Sequence, residues 1–112
     1  MSDETELDYV TVTTTTDSED EAKRLAAGGV ESRLAACAQA SSPIASTYWW
    51  DDKVQTATEY RVDFKTKSAL AVELTEYIKG AHSYDTPEVI VTPILSGNPA
   101  YLQWITTETR AF

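Results

Sequence analysis

A chain of 112 residues with 18 acidic against 9 basic side chains, 42% apolar residues and one Cys has room for one folded unit and no internal disulfide. Its net charge of −9 repels phosphate backbones and anionic headgroups, which argues against nucleic-acid and membrane-surface partners. No apolar run approaches the ~20 residues of a bilayer span, and Met1-Ser2-Asp3-Glu4-Thr5-Glu6 is acidic where a signal peptide is basic and then apolar. The expectation is a cytoplasmic protein with a flexible acidic stretch over residues 1–8 and a single domain over 9–112. The run Asp17-Ser18-Glu19-Asp20-Glu21 adds to an acidic surface, which fits either a salt-adapted source or an ordinary solvated face.

Residues 9–16 are rich in β-branched side chains and read as a strand. Ser18 followed by Glu21 is a capping box opening a helix, whose buried stripe is Ala22, Leu25, Ala26, Val30 and Leu34. Gly28-Gly29 inside that helix marks a local irregularity or a close packing contact. With no Gly-Lys-Ser/Thr following, it is not a phosphate loop. Residues 38–50 read as extended, Asp51-Asp52-Lys53 as a polar turn, and 54–66 as a strand with Tyr60, Val62 and Phe64 on one face. Such a hairpin is longer than one small core can cover. Trp49 and Trp50, being consecutive, point to opposite faces, and assembly through the hairpin resolves that surplus.

A second helix is predicted from about Ser68, with Leu70, Leu74, Tyr77, Ile78 and Ala81 as its stripe and Gly80 near its end. Residues 82–87 form a connector before Pro87, and 88–94 a further strand. Asn98-Pro99 then caps a terminal helix. The order β-α-β-β-α-β plus a helix is an α+β, ferredoxin-like sandwich.

Five segments, taken in order, resemble the CutA divalent-cation tolerance family: Arg33-Leu34-Ala35-Ala36-Cys37, Tyr48-Trp49-Trp50-Asp51-Asp52-Lys53, Phe64-Lys65-Thr66, His82 through Ile90, and Gly97 through Ile105. The resemblance implies a ferredoxin-like subunit in a tight homotrimer similar in architecture to the PII signalling proteins. It also implies a link to copper and other divalent metals, with no established enzymatic reaction. The chain departs from the family in reading His82-Ser83-Tyr84-Asp85 where His-Pro-Tyr-Glu is usual, and in placing Gly28-Gly29 within a charged helix.

His82, the only histidine, offers a nitrogen ligand to Cu(II), and Asp85 and Glu88 lie close enough in sequence to add oxygens. The plainer alternative places His82 at a helix C-terminus as a hydrogen-bonding residue. Cys37 is a soft ligand by type, or a small buried side chain among alanines. A cleft lined by Lys65, Tyr84, Trp50 and Glu59 is the candidate ligand site, with an intersubunit polar network as the alternative. The expected function is weak, reversible binding of a divalent metal, copper first, by a non-enzymatic homotrimer. The alternative is a PII-like signalling or scaffold module that takes a small molecule or a partner protein between subunits.

Overall fold

A computed structural model describes residues 8–111. The elements are β1 (Tyr9–Thr16), α1 (Glu19–Glu31), β2 (Cys37–Ala40), β3 (Ile44–Trp50), β4 (Lys53–Lys67), a short 3-10 turn (Ser68–Leu70), α2 (Ala71–Ala81), β5 (Val89–Pro93) and α3 (Pro99–Glu108). The sheet is antiparallel, with strand order β2-β4-β1-β5, and β3 pairs with the outer part of β4. This is the ferredoxin-like arrangement with one modification. The stretch expected to be continuous over 38–50 is broken at Ser41-Ser42-Pro43, so its two halves pair with different parts of β4. Pro43 has no N–H to give to a ladder, and the break falls beside it.

Alternation along the strands sets the layers. Val10 and Val12 of β1 and Val62 and Phe64 of β4 point to one face, where Ala22 and Leu25 of α1 and Leu74 and Ile78 of α2 close the core. Gly28 and Gly29 are a packing device. A Cβ on Gly28 would stand 2.0 Å from the Tyr77 hydroxyl, and one on Gly29 would stand 2.7 Å from the Phe64 ring. The helix therefore approaches α2 and the sheet more closely than any larger residue allows. Gly80 has no such role and no positive φ. It lies inside α2, which ends when His82 turns extended.

The other face of the sheet is polar. Thr13 donates to Asp63 at 2.6 Å, Arg61 pairs with Asp63 at 3.3 Å, and Lys65 donates to Gln39. Among the described residues, α3 covers one end of this face. The Tyr9 hydroxyl bonds Thr106, Arg33 pairs with Glu108 at 2.8 Å, Lys67 donates to the Arg110 carbonyl, and Arg110 pairs with Glu73.

Beyond the core, β3 and the first half of β4 form a two-stranded arm. Its tip, Asp51-Asp52, joins the paired residues Trp50 and Lys53 with φ of 55° and 60°. That is the two-residue hairpin geometry which puts both turn residues in the left-handed region. Along the arm Trp49 is 75% exposed and Trp50 67%, with Val54 and Tyr48 also uncovered.

Candidate functional site

The most densely bonded polar cluster lies where β1 ends, α1 begins and α2 gives way to the connector. Ser18 caps α1 by accepting from the Glu21 N–H at 3.1 Å. The reciprocal half of the expected capping box is missing, because the Glu21 carboxylate turns inward. Its Oε2 accepts from the Thr16 hydroxyl at 2.9 Å and from the Ser83 hydroxyl and N–H at 3.0 and 3.2 Å. It also stands 3.3 Å from His82 Nδ1, while Arg24 reaches Oε1 at 3.4 Å. Burial alone pushes this carboxyl up, but the Thr16 and Ser83 hydrogen bonds and the His82 ring together hold it below the usual carboxylate range.

The His82 side chain is fully buried. Its Nε2 lies 2.8 Å from the Thr15 carbonyl oxygen, and its Nδ1 accepts the Tyr84 N–H at 3.1 Å. Those partners assign the proton to Nε2 in the neutral ring and leave no free lone pair. The Tyr84 ring tilts against His82 with centroids 4.8 Å apart, and its hydroxyl donates to Glu59 Oε2 at 2.7 Å. Burial first, then the Glu59 hydrogen bond and charge, raise the Tyr84 phenol well above its ordinary value, with Asp17 and Tyr48 adding in the same direction. Glu59 sits where the arm leaves the core. It pairs with Ile44 of β3, while its neighbour Tyr60 is the first β4 residue opposite β1.

Of the expected cleft, Tyr84 and Glu59 meet; Lys65 and Trp50 lie elsewhere. Lys65 is six residues along the same strand, about 20 Å at the rise of a β-strand, and it is bonded to Gln39. Trp50 is at the arm's tip. Of the expected metal ligands, His82 is enclosed, Asp85 and Glu88 are exposed on the connector side, and Cys37 is half-buried near α3. Among the described residues no three His, Cys, Asp or Glu side chains are grouped to hold a metal ion. Cys37 lies opposite Lys65, on the sheet face away from α1 and α2, with its Sγ 3.3 Å from the Tyr101 hydroxyl. That contact, with burial second, pushes Tyr101 up to about 12. Glu21 escaped the sequence reading because its place three residues after Ser18 was already explained by capping. Its place four residues before Leu25 of the buried stripe was the signal for an inward carboxylate.

Strand order, helix placement and the projecting arm define a ferredoxin-like α+β fold in which His82 and Tyr84 of the connector meet Glu21 and Glu59 at the arm's base. Residues 10–108 match the model of the CutA1 divalent ion tolerance proteins, and the chain belongs to that family. It is 42% identical over 106 residues to the chloroplastic protein CutA 1 of Oryza sativa subsp. japonica, covering 95% of this chain and 60% of that protein. The chain thus spans well under two thirds of that relative, and 54% of the Arabidopsis thaliana chloroplastic protein. It is 34% identical to the divalent-cation tolerance protein CutA of Pectobacterium atrosepticum, covering 98% of this chain and all of that one. The crystal structure of CutA1 from Oryza sativa superposes with a TM-score of 0.90, covering 95% of this chain and 97% of that one at 42% identity. The Archaeoglobus fulgidus protein, described as periplasmic, gives 0.86 at 36% identity over 89% and 97%. The family's description names tolerance of divalent ions and no reaction. Two plant relatives are described as chloroplastic and the Archaeoglobus fulgidus protein as periplasmic. Among the described residues of this chain, no helix is long and apolar enough to cross a membrane.

Proposed function

We propose that this chain serves divalent-cation tolerance as a non-enzymatic homotrimer that takes up Cu(II) weakly and reversibly. The observation that carries the assembly is the arm. Tyr48, Trp49, Trp50 and Val54 stand exposed on a hairpin that outruns the core, which is the condition in which a second copy supplies the missing cover. Weak uptake has a physical basis in the connector. Before His82 can offer Nδ1 to a metal it must release the Tyr84 N–H, so each binding event is offset by a lost buried hydrogen bond. Asp85 and Glu88, on the same connector, add the oxygens, and ligands from neighbouring chains complete the set that one chain leaves unassembled.

Light scattering after size exclusion tests the assembly, with three times the 12.4 kDa chain mass expected. Calorimetric titration with Cu(II) on wild type and His82→Ala tests the metal. Weaker binding in the variant supports the reading. Unchanged affinity in the variant removes His82 from the site.

A further inference from the structure

Resting on the homotrimer reading, we infer that Lys53 at the tip of one subunit's arm pairs with Glu59 at the base of the next subunit's arm. Glu59 is 8% exposed, and its carboxylate receives one hydrogen bond, from the neutral Tyr84 hydroxyl. Among the described residues it has no ion pair. A buried carboxylate without a cation is costly, and folded proteins rarely leave one so. The basic residues that follow on the same strand are already engaged, Arg61 with Asp63 and Lys65 with Gln39. The missing charge therefore comes from outside the subunit.

Every other Lys and Arg of the chain has a partner within it. Lys23 meets Glu19, Arg24 meets Glu21, Arg33 meets Glu108, Lys79 meets Glu76, Arg110 meets Glu73, and Lys67 donates to a carbonyl. The Lys53 side chain alone, among the Lys and Arg side chains, is exposed with neither hydrogen bond nor ion pair to the described residues. In a protein of net charge −9, one unspent cation and one buried unspent anion are complementary by elimination. They cannot meet within a chain. Six residues separate them on one extended strand, about 20 Å at the β rise, beyond the length of a lysine side chain.

The surface between them supplies the route. Val54 lies next to Lys53, and Trp49 and Trp50 face it across the turn, so the arm is apolar just behind its charged tip. A second copy laid along the face that Trp50 shares with Lys53 and Glu59 covers the Trp50 ring and brings a tip to a base. In the homotrimer this contact is head-to-tail, each tip on the next subunit's base, and the three-fold rotation closes it into a ring with no arm left over.

The test combines a charge-removal cycle with cross-linking on the full chain. Glu59→Gln keeps an oxygen acceptor for the Tyr84 hydroxyl, so the subunit folds, and Lys53→Met keeps the length of the stem. Each single variant is expected to raise the concentration at which the trimer dissociates by about tenfold or more, with the double variant no worse than either. A carbodiimide should join Lys53 Nζ to the Glu59 carboxylate as an amide, the reagent taking up the water lost. In mixtures of isotopically labelled and unlabelled chains, hybrid peptides should appear. A trimeric wild type with additive single effects and no such peptide overturns the pair and leaves the assembly standing. A monomeric wild type overturns both.

Discussion

The Tyr77 hydroxyl lies directly over Gly28, donating to the Leu25 carbonyl at 3.2 Å across the contact between the two core helices. Close approach, rather than turn formation, is what the glycine pair provides. Ala in place of Gly inside an exposed helix usually stabilises by about 1 kcal/mol. Here the sign reverses. Gly29→Ala drives a methyl against the fully buried Phe64 ring, and should destabilise by about 1–3 kcal/mol in urea unfolding. Gly28→Ala meets only the far end of Tyr77, so combining it with Tyr77→Leu should recover the helix-propensity gain.

Glu21 ties stability to pH on the acid side. Its folded-state pKa lies below the ordinary carboxylate value, so its contribution is fully present above the unfolded value, about 4.3, and is lost as pH falls through the folded one. Glu21→Gln should cost about 1.5–3 kcal/mol at neutral pH. It should also flatten the loss of stability in acid, as followed by thermal melts between pH 3 and 6. An unchanged acid slope would place the sensitivity elsewhere.

The arm's turn holds two non-glycine residues in the left-handed region. Asp51→Asn combined with Asp52→Gly supplies the pair that this turn favours and should stabilise by about 1 kcal/mol or more by removing strain. A rise in unfolding midpoint with no change in its denaturant slope is the expected signature.

Trp50→Asp separates an isolated subunit from an assembled one. On a residue 67% exposed, a surface substitution moves stability by about 0.5 kcal/mol or less. If neighbouring copies cover the ring, the same change lowers both the melting temperature and the mass seen by light scattering.

Most of the architecture was legible in the sequence because alternation and helical spacing report directly on burial. Val10, Val12, Val62 and Phe64 face the core as their period dictates. The break between β2 and β3 was marked only by Pro43, since β-branched and aromatic residues resume at once and hide the change of pairing register. The site was less legible. Glu59 and Tyr84 lie 25 positions apart and meet only through the fold, whereas Lys65 and Glu59, close in sequence, are held apart by the straightness of their strand. Cys37 reads as one more small residue in an alanine run, yet strand parity turns it away from the helices towards Tyr101.

The fifteen residues of β4 are the partner of β1, β2 and β3 alike, and none of those three strands pairs with another of the three. During synthesis the chain therefore emerges as one helix and three strands with no ladder to join until Lys53 and its successors leave the ribosome. Sheet formation is then a late event that closes long loops at once. Until it happens, Trp49 and Trp50 are in the solvent with unpaired edges beside them, the interval in which nascent chains aggregate. A stop anywhere before β4 leaves no sheet at all, while one just after Lys67 leaves four of its five strands paired.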